Sequence, residues 1–113
     1  MMTFDARETI LVIGLGKSGL ACVRVLRMRG ATVYATDEKP PEQLNCAIET
    51  IDALGAHWIA PDALDTVVGK LTSAVLSPGV PLNSPMVIAV QNGSVPVLGE
   101  IELAYRLCKA PIV

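Results

Sequence analysis

The segment that most constrains this chain is a glycine-rich stretch between an apolar run and a helical pattern. The apolar run at residues 10–13 is followed by Gly14, Gly16 and Gly19, which have the spacing G-x-G-x-x-G, and an apolar-rich segment then continues to Gly30. This pattern predicts a β-strand, a tight turn and an α-helix, the first part of a βαβ unit. Gly14 would allow the sharp turn, Gly16 a close approach to the backbone, and Gly19 close packing of the helix on the sheet.

The same pattern favours a ligand that contains phosphate. The free N–H groups of the helix's first turn and the positive end of its dipole would face the turn. A second predicted strand, residues 32–36, ends in Asp37, and an acid about 20 residues past the glycines can accept a hydrogen bond from a ribose hydroxyl. The alternative is a strand-to-helix turn without a ligand. The motif therefore predicts nucleotide binding and leaves the identity of the nucleotide open.

Composition limits the class of protein. With 113 residues, 51% of them apolar, the chain is long enough for one folded domain and too apolar for intrinsic disorder. Its net charge is −2 and it has no cluster of Lys and Arg with interleaved aromatic residues, so we expect no nucleic-acid partner. Cys22, Cys46 and Cys108 lack C-x-x-C spacing, and His57 is the single histidine. We therefore expect free thiols in a reducing compartment and no metal site.

The uncharged segment 71–99 raises the question of a membrane span. It contains Pro78, Pro81, Pro85 and Pro96, which are incompatible with a continuous spanning helix. An uncharged run is also typical of buried parallel strands and their loops. The acidic and basic residues before the first apolar run, and the glycines that soon break it, argue against a signal peptide. We expect a cytoplasmic protein without a membrane partner.

Hydrophobic periodicity and turn residues predict alternating strands and helices. The predicted strands are residues 9–13, 32–36, 57–59, 73–76 and 95–98, and a sixth would begin at 111. The predicted helices are residues 17–29, 42–54, 63–68, 85–92 and 100–109. This alternation predicts an α/β fold, namely a Rossmann-like parallel sheet of about five strands in the order 3-2-1-4-5, with helices on both faces.

A second glycine-containing loop should lie beside the first. In the predicted order the strands progress in opposite directions from strands one and four, so the loops after these two strands line one crevice. The second loop is Ser77-Pro78-Gly79-Val80-Pro81. The alternative interpretation of this loop is an ordinary rigid turn. Two such loops at one crevice indicate a ligand site more strongly than either loop alone.

Taken together, these features resemble the N-terminal domain of the Mur ligases, and within that family the members that add D-glutamate. The resemblance covers nearly the whole chain. It depends on GLGKSG at 14–19, the acid Asp37, SPGVP at 77–81 and the string VPVLGEIEL at 95–103. The last two segments are more similar to the D-glutamate-adding ligases than to their sister enzymes or to any dehydrogenase.

The resemblance implies a role for each element. In this family the domain holds the UDP part of UDP-N-acetylmuramoyl-L-alanine, a substrate of peptidoglycan synthesis. The residues expected to bind UDP are Gly14, Leu15, Gly16, Lys17, Ser18, Gly19, Asp37, Glu38, Lys39, Ser77, Pro78 and Gly79. The glycine motif would lie beside the pyrophosphate and uridine, the end of strand two beside the uracil, and the second loop over the nucleotide. The family often carries other residues at positions 38 and 39.

The resemblance also implies chemistry for which this sequence lacks the residues. In the family the strand at 110–113 leads into an ATP-binding loop, and nothing in this sequence matches G-x-x-x-x-G-K-[ST]. The full enzyme would use ATP and Mg²⁺ to form an acyl phosphate on the muramoyl-alanine carboxylate, which the amine of D-glutamate then attacks. We expect residues 1–113 to form one UDP-binding domain of that enzyme, without the central ATPase and C-terminal domains. This domain would contain no catalytic residue, bind no cofactor and be inactive alone.

Two other functions fit the glycine motif and Asp37. One is the NAD(H)-binding domain of an oxidoreductase, for which His57 would be the sole candidate for proton transfer. The other is a non-catalytic regulatory module that senses a dinucleotide. Neither function explains the SPGVP loop together with the LGEIEL string.

Overall fold

The computed structural model describes residues 8–100, 102 and 103, which contain a five-stranded, all-parallel sheet. Its strands are β1 (Thr9–Ile13), β2 (Thr32–Thr36), β3 (His57–Trp58), β4 (Ser73–Leu76) and β5 (Val97–Gly99). Their order is β3-β2-β1-β4-β5, as predicted. Ile13 of β1 is paired with Thr36 of β2 and with Leu76 of β4. The carboxyl ends of these three strands therefore lie side by side.

Helices cover both faces of the sheet. The helices are α1 (Lys17–Met28), α2 (Asn45–Ala53), α3 (Asp65–Val68) and α4 (Pro85–Asn92), and 3-10 turns occupy Pro41–Gln43 and Pro61–Ala63. Val23 and Leu26 of α1 and Ile51 of α2 are buried on one face. Val67 of α3 and Val87 of α4 are buried on the other face. The predicted Rossmann-like α/β architecture is confirmed.

The central strands are buried on both faces. Residues 10–13 of β1 and 73–76 of β4 are all buried, which explains the continuous apolar run and the lack of charge around β4. Because side chains alternate along a strand, Ile10 and Val12 pack with α1 and α2, whereas Leu11 and Ile13 pack with α3 and α4. Within the part of the chain that the structure describes, no helix is long and apolar enough to cross a membrane.

The helix predicted over residues 42–54 is shorter in the structure. Gln43 first closes a 3-10 turn, because its N–H donates to the Pro40 carbonyl at 2.9 Å. The first α-helical bond joins the Ile48 N–H to the Leu44 carbonyl (2.8 Å), so α2 begins at Asn45. A similar 3-10 turn precedes α3, which therefore occupies only the last part of the helix predicted over 63–68.

The last described strand is displaced from the predicted range 95–98. The Val95 N–H still donates to the Val90 carbonyl of α4 (3.3 Å), and Pro96 has no N–H to donate. Pairing with β4 therefore begins at Val97. The helix predicted after β5 begins at residue 100, as expected. Its continuation beyond residue 103 and the predicted sixth strand lie outside the described residues.

Arg27 joins the end of α1 to the end of α2. Helical periodicity predicts that its side chain points outward, and this prediction is wrong. Its Nε donates to the Leu54 carbonyl at 3.0 Å and its Nη1 to the Ala31 carbonyl at 2.7 Å. Gly55 packs against the guanidinium with φ +84°, and a Cβ on this glycine would lie 2.9 Å from the Arg27 Nη2. The guanidinium thus fixes how the two helices end beside each other.

Replacing Arg27 by Met should lower the free energy of unfolding by about 2–3 kcal/mol, because two carbonyl groups lose a charged donor. Urea unfolding followed by Trp58 fluorescence measures the change, since Trp58 packs against the core on this face of the sheet. Arg24→Met is the matched control, because Arg24 is exposed on the same helix, and its expected change is below about 0.5 kcal/mol. Equal losses in the two variants would contradict the assigned bonds.

Candidate functional site

Main-chain hydrogen bonds join the carboxyl ends of β1, β2 and β4. The Gly14 N–H donates to the Thr36 carbonyl (2.8 Å), and the Ser77 N–H donates to the Ile13 carbonyl (3.0 Å). Three loops leave the sheet at this edge: the glycine turn (residues 14–19), the β2 loop (residues 37–40) and the Ser77 loop (residues 77–81). The space between them, called the crevice below, lies where ligands bind in open parallel sheets.

The glycine turn and the Ser77 loop are in direct contact. Gly14 has φ +100°, a left-handed conformation that favours glycine. A Cβ on Gly14 would lie 2.8 Å from the Ser77 Cβ and 3.0 Å from the Val80 Cγ2. Gly14 therefore permits both the sharp turn and the close approach of the second loop. The predicted convergence of the two loops is present in the structure.

The first turn of α1 opens toward the crevice without a cap. Its N-cap residue Gly16 has φ −72° and ψ −171°, no side chain bonds to the turn, and the turn contains no acid. The first helical bond joins the Leu20 N–H to the Gly16 carbonyl (3.0 Å), so the N–H groups of Lys17, Ser18 and Gly19 have no intrahelical acceptor. A Cβ on Gly16 would meet no atom within 4 Å. This open and positively polarised end suits an anion.

Gly19 lets α1 lie directly on the glycine turn. It is buried, and a Cβ at this position would overlap the Gly14 carbonyl oxygen. The third glycine of the motif thus has the packing role that its spacing predicts. The position of the first turn of α1 relative to the crevice depends on this contact.

Asp37 is buried at the end of β2 and accepts hydrogen bonds from the chain's own backbone. Its Oδ2 accepts from the Leu15 N–H at 2.7 Å, and its Oδ1 accepts from the Lys39 N–H at 3.0 Å. One carboxylate, 8% exposed, therefore fixes both the glycine turn and the β2 loop. The sequence predicts a ligand contact for Asp37, and each of its oxygens already has a donor within the chain. A further contact with a ligand stays a prediction.

Replacing Asp37 by Asn should lower the free energy of unfolding of the ligand-free chain by about 1–3 kcal/mol. An amide has one acceptor oxygen, so either the Leu15 N–H or the Lys39 N–H would face an NH₂ donor. Urea unfolding without ligand measures the loss. Asp52→Asn makes the same substitution at an exposed site on α2 and should stay within about 0.5 kcal/mol of the unmodified chain. Unchanged stability of Asp37→Asn would indicate that the carboxylate serves a ligand alone.

One open groove borders the first turn of α1, and another lies where β4 and β5 end. The α2 groove has a volume of about 560 Å³ and is lined by Leu15, Gly16, Lys17, Leu20, Lys39, Glu42, Gln43, Leu44, Asn45, Cys46 and Ala47. The β5 groove has a volume of about 280 Å³ and is lined by Leu76, Ser77, Pro78, Val80, Leu82, Gly99 and Glu100.

The structure divides the predicted site residues into two groups. The residues exposed to solvent at the crevice edge are Gly16, Lys17, Ser18, Glu38, Lys39, Pro78 and Gly79. The buried residues, which shape the crevice from below, are Gly14, Leu15, Gly19, Asp37 and Ser77. Sequence reasoning missed the groove residues 42–47, together with Leu82 and Glu100. The available signal was that each of these segments follows a strand at the carboxyl edge of the sheet.

Metal-ligating side chains are dispersed over the part of the chain that the structure describes. Among residues 8–100, 102 and 103, no group of three His, Cys, Asp or Glu side chains could hold a metal ion. Cys22 and Cys46 are free thiols, and Cys108 lies outside the described residues. His57 lies on the edge strand β3, and its ring is tilted against that of Tyr34 with centroids 5.4 Å apart. His57 thus packs against Tyr34 at the edge of the sheet.

Comparison with known families identifies the domain. The family described as "Mur ligase MurD-like, N-terminal domain" matches residues 8–99. This chain belongs to that family. The matched range of this MurD-like domain contains the glycine turn, the β2 loop and the Ser77 loop.

Curated relatives of this MurD-like domain are ligases. The UDP-N-acetylmuramoylalanine–D-glutamate ligase of Alkaliphilus metalliredigens is 41% identical over 112 residues, which cover 94% of this chain and 24% of that ligase. The ligase of the same name from Caldicellulosiruptor bescii is 43% identical over 108 residues, covering 91% of this chain and 22% of that ligase. The chain thus spans about a quarter of the length of these relatives.

Solved structures similar to this MurD-like domain include dehydrogenases. D-lactate dehydrogenase from Escherichia coli has a TM-score of 0.61 and 23% identity, over 87% of this chain and 29% of that one. Shikimate dehydrogenase from Aquifex aeolicus has a TM-score of 0.61 and 13% identity, over 91% of this chain and 46% of that one. At such identities the likeness shows a shared fold. A transhydrogenase from Sinorhizobium meliloti is 31% identical over 66% of this chain and 21% of that one, with a TM-score of 0.53.

Proposed function

We propose that this MurD-like domain holds the UDP part of UDP-N-acetylmuramoyl-L-alanine for an ATP-dependent ligase that adds D-glutamate. The observation that carries the proposal is the uncapped first turn of α1, whose free N–H groups face open space at Gly16 without an opposing acid. Membership of the MurD-like family and the names of the curated relatives support the same substrate.

The proposed ligand extends along the crevice in a defined direction. The pyrophosphate lies at the glycine turn, where the N–H groups of α1 donate to it and the exposed Lys17 and Ser18 add a cation and a hydroxyl. The uracil lies on the α2 groove side, where Lys39 forms part of the wall and Glu38 precedes it in the β2 loop. The Ser77 loop bounds the nucleotide on the opposite side.

In this proposal the domain contributes binding rather than bond formation. ATP and Mg²⁺ bind elsewhere in the full enzyme, where the muramoyl-alanine carboxylate becomes an acyl phosphate and the D-glutamate amine displaces the phosphate. Fixing the UDP group helps to position the remote carboxylate, which removes much of the entropic cost of bringing the reactants together. The 113-residue chain alone is then inactive, and the full enzyme is cytoplasmic, with the remaining domains as its partners and no nucleic acid or membrane partner.

A dinucleotide is the second candidate ligand, either in an NAD(H)-dependent oxidoreductase or in a regulatory module. The likeness to the transhydrogenase favours it, because the identity there is 31%. Membership of the MurD-like family opposes it, because that family matches residues 8–99. The bonds of Asp37 do not separate the two candidates: each carboxylate oxygen accepts from the backbone of Leu15 or Lys39 and keeps a second lone pair for a ribose hydroxyl.

An NMR titration of the isotope-labelled chain with UDP-N-acetylmuramoyl-L-alanine, UDP and NADH distinguishes the two candidates. With both UDP ligands we expect amide shifts at Gly16, Lys17, Ser18 and Gly79, and none with NADH. The expected dissociation constant is on the order of 1 mM, because this chain supplies only part of the full binding site. Shifts with NADH alone would favour the dinucleotide, and an absence of shifts with all three ligands would refute binding by this chain.

A further inference from the structure

The outer surface of α1 combines cations with exposed apolar side chains and contains no acid. The charged residues of α1 are Lys17, Arg24 and Arg27, and of these Lys17 and Arg24 are exposed. Val25 is 40% exposed and Met28 80%. An open groove of about 350 Å³ lies on this surface and is lined by Lys17, Leu20, Ala21, Arg24 and Val25. Apolar side chains that stay exposed beside charges of one sign are typical of interaction surfaces.

The neighbouring helix α2 carries the opposite charge. It contains Glu49 and Asp52 and no Lys or Arg, and both acids are exposed, as is Ala53. The two helices pack side by side on one face of the sheet. Even so, the side chains of Arg24, Glu49 and Asp52 form no hydrogen bond or ion pair within the residues that the structure describes. These charges therefore remain available to a partner outside this copy of the domain.

The opposite charges of α1 and α2 lie at the same height along two parallel helices. Each helix begins at the carboxyl edge of the sheet and returns to the opposite edge, because α1 connects β1 to β2 and α2 connects β2 to β3. Residues of both first turns line the α2 groove. The ends are level as well, since the Arg27 side chain reaches the Leu54 carbonyl at 3.0 Å. Arg24 therefore lies at about the height of residues 49–52 of α2.

A second copy of the chain complements both helices at once. A twofold axis between two facing copies, parallel to the helices, would place α1 of each copy on α2 of the other. Because the heights match, Arg24 of one copy would face Glu49 and Asp52 of the second copy, and the symmetry repeats this contact. The second copy would also cover the exposed Val25 and Met28. We propose that α1 and α2 form a self-complementary docking surface through which two copies of this domain associate.

The change of sign between α1 and α2 favours a second copy over other partners. An anionic membrane or an acidic protein would be attracted to α1, but the acids of the adjacent α2 would repel it. A basic partner would be attracted to α2 and repelled by α1. In the twofold arrangement both helices face the opposite charge. The contact joins only two short helices of each copy, so we expect a weak dimer with a dissociation constant on the order of 100 µM.

Sedimentation equilibrium measures this association without a ligand, so the test is independent of the proposed function. The unmodified chain should change from mostly monomer at about 10 µM to mostly dimer at about 1 mM. Raising the NaCl concentration from about 50 mM to about 500 mM should weaken the dimer several-fold, because the pairs are screened. The unfolding measurements on Arg24→Met and Asp52→Asn use about 5 µM protein, at which the chain is monomeric.

Two charge-reversal variants test the assigned contact between the copies. Arg24→Glu puts an acid on both sides of the contact, and the double variant Glu49→Lys/Asp52→Lys puts cations on both sides. Each variant alone should therefore dimerise at least about tenfold more weakly than the unmodified chain. An equimolar mixture of the two variants should recover the affinity of the unmodified chain, because each helix then meets the opposite charge on the other variant.

The matched controls make the same changes of charge away from α1 and α2. They are Lys70→Glu and the double variant Asp62→Lys/Asp65→Lys, at exposed positions in and beside α3, which packs on the other face of the sheet. Both controls should dimerise within about twofold of the unmodified chain. Circular dichroism verifies that every variant is folded, as expected for substitutions at exposed positions.

Three results would overturn this proposal. The first is an unmodified chain that stays monomeric at about 1 mM. The second is a dimer that Arg24→Glu leaves unchanged, since the interface would then lie elsewhere on the molecule. The third is a mixture of the two charge-reversal variants that fails to recover the affinity, because α1 of one copy would then not lie on α2 of the other. Recovery in the mixture, with weak association of each variant alone, would establish the reciprocal contact.

Discussion

A Gly19→Ala chain should lose at least about 3 kcal/mol of its free energy of unfolding, a large share of the total for a domain of this size. The added Cβ would overlap the Gly14 carbonyl oxygen and lie 2.9 Å from the Gly14 carbonyl carbon. Backbone atoms cannot rotate away as the end of a flexible side chain can. Gly14 is also confined on its other side, where even a Cβ of its own would be 2.8 Å from the Ser77 Cβ. The clash would therefore push α1 away from the sheet.

The control for Gly19→Ala is the same substitution at Gly16. A Cβ on Gly16 enters open space, and the backbone there has φ −72°, which any residue adopts. Gly16→Ala should therefore change the free energy of unfolding by less than about 1 kcal/mol. Urea unfolding followed by circular dichroism and Trp58 fluorescence compares the two variants. A loss below about 1 kcal/mol for Gly19→Ala would mean that α1 does not lie on the glycine turn as the structure has it.

The strands and their order were predictable because burial leaves a continuous signal in the sequence. β1 and β4 are buried on both faces, so their residues are uncharged throughout, and right-handed crossovers then restrict the order of the strands. The ends of the elements were less predictable because they depend on competing local bonds. The bond from Gln43 to Pro40 and the bond from Val95 to Val90 set two of these ends. The apolar pattern of the sequence would be the same with or without these bonds.

The roles of Gly14 and Gly19 also followed from the sequence, because they are properties of the backbone at fixed spacing. Bonds between a side chain and a distant backbone group have no such signature. Arg27 occupies an outward position by periodicity, yet its guanidinium reaches the Leu54 carbonyl at 3.0 Å. The spacing likewise indicates that Asp37 accepts hydrogen bonds at the end of β2. Which groups donate to it depends on the paths of the glycine turn and the β2 loop.

The lining of the α2 groove shows the same limit. Gln43, Asn45 and Cys46 line it together with residues of the glycine turn, because the 3-10 turn and the start of α2 lie beside that turn. The sequence indicates that these residues follow β2, but only the path of the intervening loop decides which of them line the groove. The strand order is therefore enough to predict where the crevice lies. The residues that form its walls depend on the paths of the loops.

Gly16→Val should fold like the unmodified chain and bind UDP about 10–100-fold more weakly, the loss expected for one charge-assisted hydrogen bond. The branched side chain would occupy the open space in front of the first turn of α1, where the phosphates are proposed to lie. The backbone at Gly16, with φ −72° and ψ −171°, is accessible to valine. The loss of a favourable N-cap residue should cost at most about 1 kcal/mol of stability.

Gly69→Val is the matched control for this effect on binding. Gly69 follows α3 with φ −66°, has open space around its Cβ position and lines neither groove. This variant should keep the UDP affinity of the unmodified chain in the same NMR titration. An equal affinity for UDP in Gly16→Val and Gly69→Val would place the phosphates away from the glycine turn. Gly16→Val adds a side chain where the fold has room, whereas Gly19→Ala disturbs the packing of α1. A loss of UDP binding in Gly16→Val at unchanged stability would therefore result from a blocked ligand site and not from a damaged fold.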